Sequence, residues 1–230
     1  MAKQSAYYEI DGQKLIRVTS VLSQTLAKPQ LENWFKKATR EGAAAYLEGQ
    51  REQPITDDII KGVVQAAKDG TNTEAAVRRG VDFHEAAMDY MGGDPYPDIP
   101  GMQALKQWRA DLEPRPVALE NVVYSRTLGC AGTFDALMEI DGKRVIVDYK
   151  TGGVYDDHAI QLAAYAGMWG EMNKDRPIDA CQVVQVDTVN ETYTVHHLDD
   201  WKPYWEEAFL PLLKVWKQMQ GNAFTARWAL

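Results

Sequence analysis

Apolar residues recur along this chain with two periods. A period of two marks strands. It appears weakly in YYEI-DG-QKLIRV (residues 7–18) and in PVALENVVYSRTLGCAG through Val117, Leu119 and Val122. It continues through GCAGTFDALMEI-DG-KRVIVDYK, and on both arms of CQVVQVDTVNETYTVHHL around Asn190-Glu191. A period near 3.6 marks helices. A short one is expected from Val21, capped by Thr19 or Ser20, and a second from Pro29 carrying Leu31, Trp34, Phe35 and Ala38. Residues 41–70 read as one or two helices broken near Gln53-Pro54, with Asp57-Asp58 opening the second. TNTEAAVRRGVDFHEAAMDYMGG reads as one helix, capped by Thr71 or Thr73 and ended at Gly92-Gly93, with Val77, Val81, His84 and Met88 on its buried stripe. After the Pro/Gly loop 92–101 come MQALKQWRADLEP, a helix opened by Asp156 or Asp157, and a C-terminal helix from Asp200. That last helix has a stripe of Trp201, Trp205, Ala208, Leu212, Val215 and Met219 and a bend at Pro211. The expected fold is α/β: a central mixed sheet of about five strands flanked by helices, with an N-terminal helical region forming one wall of a cleft. Residues 1–100 make the N-terminal hairpin and helical region and 101–230 the core, within one continuous structural domain.

The hairpin at residues 129–150 carries the chemistry. Asp141-Gly142 signals a type I′ turn, whose two central residues both need positive φ. Register follows by counting outward: Ile140 faces Lys143, Glu139 faces Arg144, and Asp135 faces Asp148. Lys150 shares the face of Asp148. Ile146 and Leu137 are expected on that face, and Val145, Val147, Phe134, Ala136 and Met138 on the other, so both sides are largely apolar, as in a strand pair buried on both faces. Opposed carboxylates there have Cβ atoms about 5 Å apart and destabilise the pair unless a pKa rises or a cation sits between them. A hard divalent ion suits two carboxylates, and a neighbouring ammonium can orient a water: a site for phosphodiester hydrolysis.

GTFD, then DYK thirteen residues after its Asp, then QLAAY resembles the GxxD…(D/E)xK…QxxxY signature of the PD-(D/E)XK nuclease superfamily. The likeness is to its RecB-type exonuclease branch, with many phage and CRISPR-associated members. VTSVL…LxxW resembles the N-terminus of phage RecB-like nucleases. The resemblance implies a restriction-endonuclease-like core. RRGVDFH resembles the element whose His ligates metal, so His84, ordinarily read as a satisfied core histidine, becomes a ligand with Asp135 and Asp148. The main-chain carbonyl of Tyr149 can complete the shell around one or two Mg²⁺ or Mn²⁺ ions, and Lys150 would orient the attacking water. By the same resemblance Gln161 and Tyr165, one turn apart on a helix, hold the carboxylates or the DNA. Glu120 is a plain strand acid or reaches the metal through a hydrogen bond or water.

Composition modifies this picture in three places. The formal net charge of −8 disfavours a general DNA binder, so basic residues would have to concentrate along one groove; Lys36-Lys37-Arg40, Arg78-Arg79 and Lys143-Arg144 are the candidates. Two cysteines, Cys130 and Cys181, cannot supply the four thiolates of the iron–sulfur cluster found in several RecB-like proteins, so no such cluster is expected. His196 and His197 are adjacent, point to opposite faces and are read as structural. The chain has neither an apolar run long enough for a membrane helix nor a signal-peptide stretch at its start, which suggests the cytoplasm of a bacterial cell or phage-infected host.

The expected activity is a metal-dependent DNA exonuclease acting on linear ends, single- or double-stranded, in recombination, repair or phage DNA processing. No helicase motif is present, so an annealing or helicase partner would be a separate protein. Ring-forming relatives raise the prospect of a homo-oligomer. The alternatives are a structure-specific endonuclease of the same fold, a non-catalytic DNA-end-binding recombination protein, or an enzyme for a phosphodiester outside nucleic acid.

Overall fold

The computed structural model describes residues 5–27, 29–51, 53–70 and 74–220. Its strands are β1 (Tyr7–Ile10), β2 (Gln13–Arg17), β3 (Arg115–Ser125), β4 (Cys130–Ile140), β5 (Lys143–Lys150), β6 (Ala180–Asp187) and β7 (Thr192–Leu198), joined in one seven-stranded mixed sheet. The expected five become seven because the N-terminal hairpin β1–β2 joins the sheet. At both Asp-Gly turns the two residues have positive φ (Asp11 49°, Gly12 75°; Asp141 50°, Gly142 74°). The β4–β5 ladder has the register this turn dictates, from Ile140↔Lys143 to Ala136↔Val147. The β6–β7 loop is wider than the expected Asn190-Glu191 turn. Pairing ends at Asp187↔Thr192, because the Asp187 carboxylate accepts the N–H groups of Val189 and Asn190 at 2.9 Å each and so turns the chain early.

Strand β4 is the hub. Along one edge it pairs antiparallel with β3 over its whole length. Its other edge is shared: β5 holds residues 136–140, and β2, running parallel, holds Cys130 and Ala131 through Ile16 and Arg17. Between them the edge of residues 132–135 carries no strand partner among the described residues, so the sheet forks there. The expected alternation also breaks at this point. Phe134 packs with Leu137, Ile146 and Trp169, not with Ala136 and Met138, so β4 changes sides at Asp135. Next to it in β3, Glu120 has a φ of +44°. A bulge between Pro116 and Ala118 leaves Val117 exposed, and past the positive φ of Glu120 the strand turns Val122 outward and Val123 inward, against the expected alternation.

Each sheet face has its own core. On one face lie α1 (Val18–Thr25), α6 (Asp156–Met172) and α7 (Leu210–Gln220), packed through Val21, Leu22, Leu162, Met168, Leu213 and Trp216. On the other lie α4 (Glu74–Gly92) and α5 (Met102–Leu112), packed through Phe83, Met91, Leu105 and Trp108 against Met138, Val147 and Tyr149. Each of these large side chains contributes roughly 2–3 kcal/mol by leaving water. Helix α1 starts three residues before the expected Val21, with no side-chain cap, because the chain leaves β2 at Arg17 directly into the turn that buries Val18. Tyr155 is the N-cap of α6, so Asp156 and Asp157 occupy the first turn and not the cap.

Two helical phases differ from expectation. In α4 the buried row is Phe83, Ala87, Met88 and Met91; Val81 is exposed and His84 sits half-buried at the margin, while the side chain of Val77 is outside the described set. The Phe83 ring fills the core more fully than the imidazole can, and this rotates the helix. At the C-terminus, residues Tyr204–Phe209 form a π-helical turn. Pro211 offers no N–H to the preceding turn, and the widened turn shifts the phase by one residue. Phe209, Leu213 and Trp216 are buried, whereas Val215 and Met219 are exposed.

The contacts divide the chain into two units, residues 1–26 with 80–230, and residues 27–79. In the second, α2 (Pro29–Glu48) and α3 (Asp57–Gly70) meet at Gly62, where a Cβ would lie 2.0 Å from the phenol oxygen of Tyr46. The expected apolar Trp34 and Phe35 are exposed and pack on each other edge to face. The Thr71 or Thr73 cap and the segment 221–230 lie outside the described residues. Among the described residues no helix is long and apolar enough to cross a membrane.

Helix α5 has Gly101 as its N-cap and no side-chain cap of its own. Glu191, in the β6–β7 loop, substitutes: its carboxylate accepts the N–H of Gly101 at 2.7 Å and of Gln103 at 3.2 Å. Glu191→Ala is expected to cost about 1 kcal/mol, seen as a lower urea midpoint at unchanged m-value.

Candidate active site

Asp135 and Asp148 are the next pair beyond Ala136↔Val147, where the β4–β5 ladder stops at the fork. There a side chain replaces the backbone: Asp135 Oδ2 accepts the N–H of Tyr149 at 2.9 Å. In an extended strand a residue's N–H and C=O face the same neighbour, so the Tyr149 carbonyl is turned toward Asp135 as well. Lys150 Nζ lies 2.5 Å from Asp148 Oδ2, an oxygen that meets no other donor among the described residues. His84, at the margin of α4, places Nδ1 3.3 Å from Asp135 Oδ2. On α6, Gln161 Nε2 donates to the Tyr165 hydroxyl at 3.0 Å. The geometry thus brings together His84, Asp135, Asp148, Tyr149 and Lys150, and sets Gln161 and Tyr165 beside them. Glu120, exposed on β3, is next to Asp135 by register.

The electrostatics follow from crowding. Burial, then the charge of Asp148, pushes the Asp135 carboxyl up to about 7, against the pull of Lys150 and the Tyr149 N–H; Glu120 adds to the rise. Burial works against the Lys150 ammonium, but the charges of Asp148 and Asp135 outweigh it and its pKa is raised. Burial and then Lys150 lower the pKa of His84, leaving a neutral imidazole with a free lone pair at neutral pH. Tyr165 is raised by burial and by Asp148, and so stays a protonated phenol.

Among the described residues no three His, Cys, Asp or Glu side chains converge on a common point. His84 meets Asp135, and Asp148 is engaged by Lys150. The donor set nonetheless suits a hard divalent cation. It contains two carboxylates that raise each other's energy, an Asp148 oxygen with only Lys150 against it, a neutral imidazole and a main-chain carbonyl. Such an arrangement can gather a cation, a phosphate and a water in one place.

Several neighbours were not anticipated. Gly132 is the glycine of GTFD, and a Cβ there would lie 2.3 Å from Tyr165 Cε1, so only glycine lets the ring sit against β4. Tyr8 shares a 2.7 Å hydrogen bond with Thr133 Oγ1, and the guanidinium of Arg17 lies 4.1 Å over the Tyr8 ring. No local pattern links residues 8 and 17 to residue 133; only the β2–β4 pairing does. A polar groove of about 400 Å³ adjoins the end of β5, lined by Thr151, Gly152, Gln185, Thr192 and Thr194. Gln185 Nε2 donates to the Gly152 carbonyl, and His196 bonds Gln185 Oε1, a structural role for that histidine. The basic pair Lys143-Arg144 is at the far end of β5, roughly 20 Å from Lys150 along the strand, and does not line the site. Lys36 and Lys37 pair along α2 with Glu32 and Glu41.

A mixed sheet covered by helices on both faces, with two carboxylates and a lysine at the fork of its central strands, is the layout of a phosphodiester-cleaving core. Comparison with family models agrees: that of the PD-(D/E)XK nuclease superfamily matches residues 64–227. The chain belongs to the PD-(D/E)XK nuclease superfamily. The membership implies a nuclease, a hydrolase of a class that typically uses divalent metal ions and is expected to act on DNA. No curated protein matches the chain.

Two outcomes test the site's construction. Gly132→Ala should destabilise the protein by about 1–3 kcal/mol through overpacking. Combined with Tyr165→Ala it should cost less than the sum of the two single changes, by about 1 kcal/mol or more, in a denaturant double-mutant cycle. The second concerns pH. A carboxyl whose folded pKa is raised from 3.8 to about 7 contributes stability that is full below pH 3.8 and lost as pH rises through 7. Metal-free protein in EDTA should therefore lose stability between pH 4 and pH 7 relative to Asp135→Asn, whose stability lacks this component.

Proposed function

We propose that this protein is a metal-dependent DNA exonuclease of the RecB-like branch, serving recombination, repair or phage DNA processing in a bacterial or phage-infected cytoplasm. The observation that carries the reading is the meeting of Asp135, Asp148 and Lys150 where β5 leaves β4, with His84 against Asp135. The position of His84 within RRGVDFH and the Gln161–Tyr165 contact support the branch.

His84, Asp135, Asp148 and the Tyr149 carbonyl would hold one or two Mg²⁺ or Mn²⁺ ions. A bound ion supplies positive charge against the phosphoryl oxygens and makes nearby water more acidic. The chain's own groups do the rest. Lys150 exchanges its contact with Asp148 for one with a water and directs that water in line with the scissile P–O bond. Tyr165, kept protonated, donates toward the phosphate, and Gln161 fixes the direction of its hydroxyl. Glu120 adds negative charge beside Asp135 and favours retention of the cation. Strand annealing or unwinding falls to a separate protein.

End-labelled linear DNA should release nucleotides in Mg²⁺ or Mn²⁺ and none in EDTA. Asp135→Ala and Lys150→Ala should each lower the rate by roughly 10²–10³-fold or more while the protein stays folded. Cleavage of covalently closed circles would replace this reading with a structure-specific endonuclease. Tight binding of DNA ends without cleavage would replace it with a recombination protein that does not cut.

A further inference from the structure

We infer that Arg17, at the end of β2 and backed by Tyr8, takes a backbone phosphate of the DNA strand that enters the site. The inference rests on the nuclease reading above and extends it to residues outside the signature motifs.

The placement comes from the fork. Tyr8 is tied by its hydroxyl to Thr133, which lies on the unpaired stretch of β4 only about 7 Å along the strand from Asp135. The Tyr165 ring sits against the neighbouring Gly132, so the two phenols flank the same stretch of β4. A run of neutral hydroxyls, Tyr165, Tyr8 and Thr133, therefore borders the acid pair, and a cation stands at its outer end. This is the charge arrangement a polyanion needs in a chain of net charge −8: carboxylates where a cation mediates, and direct positive charge one step away.

Arg17 is built to hold still. Its Nε donates to the Ser5 carbonyl at 2.6 Å and its plane rests on Tyr8. Its backbone N–H donates to Ala6 and its β-pairing is to Ala131. The hairpin turn is tied down as well: Asp11 forms an ion pair with Arg126, and Gln13 donates to the Arg126 carbonyl. Among the described residues neither Nη nitrogen of Arg17 has an acceptor. A guanidinium with one edge fixed and the other open is a fork matched to two phosphate oxygens, and fixing it in advance lowers the entropic cost of binding. Lys14, on the same hairpin, is exposed and has none of these restraints.

The test is steady-state hydrolysis of end-labelled linear DNA, together with the salt dependence of oligonucleotide binding in Ca²⁺, for wild type, Arg17→Ala, Arg17→Lys and Lys14→Ala. Arg17→Ala should raise KM on the order of tenfold, the size of one charge-assisted hydrogen bond, with a much smaller change in kcat. It should also flatten the log–log salt slope by about 0.7–0.9. Arg17→Lys should restore the slope but only part of the affinity, and it serves in place of Arg17→Ala if the alanine variant does not fold. Lys14→Ala should change neither quantity. A wild type that cuts, with Arg17→Ala matching Lys14→Ala in KM and slope, overturns the role of Arg17 and leaves the nuclease reading standing. A wild type that binds DNA without cutting, and loses that binding in Arg17→Ala, supports the role of Arg17 and overturns the nuclease reading. A wild type that neither binds nor cuts overturns both.

Discussion

Two carboxylates cannot share a sheltered position at neutral pH without a positive charge between them or a proton on one of them, and this requirement shapes the centre of the molecule. Asp135 and Asp148 are brought together by backbone pairing, which is indifferent to their repulsion. The local energy is then lowered by whatever lies nearest: Lys150 on Asp148, the Tyr149 N–H on Asp135, and a proton that Asp135 holds more tightly than an ordinary aspartic acid. A divalent cation answers the same need more completely than any of these. The metal affinity proposed for this site is thus the reverse side of a strain that folding imposes.

The surroundings keep that strain in place. Apolar cores on both sheet faces make β4 and β5 costly to displace, and Trp108 against Tyr149 anchors the strand that carries Asp148 and Lys150 from the face opposite α6. Helix α6 approaches closely because its middle is built of alanines and because Gly132 leaves room for the Tyr165 ring. A residue that looks merely small in the sequence is in fact the space occupied by another side chain.

How far the sequence could be read depended on how local the determining interaction was. The Asp141-Gly142 turn sets register through its own backbone, so the pairing from Ile140 back to Ala136 followed by counting, and the juxtaposition of Asp135, Asp148 and Lys150 with it. His84 emerged from its motif, not from its periodicity, since the apolar row of α4 falls one residue earlier, at Phe83. Helical phase was least legible where neighbouring positions were all apolar or where the turn itself widened, as before Pro211. The side switch at Phe134 depends on β3 and its Glu120 backbone, and the contribution of β1–β2 depends on contacts more than a hundred residues apart. Neither leaves a local trace.

Two ladders end on one edge of β4, and the gap between their last rungs sets the aperture of the centre. Extending β5 by two more pairs and β2 by two would zip the sheet closed over residues 132–135 and convert the opening into ordinary hydrogen-bonded sheet. The width of that opening is thus written in strand lengths, and β2, far in sequence from Asp135 and Asp148, is one of the two strands that set it.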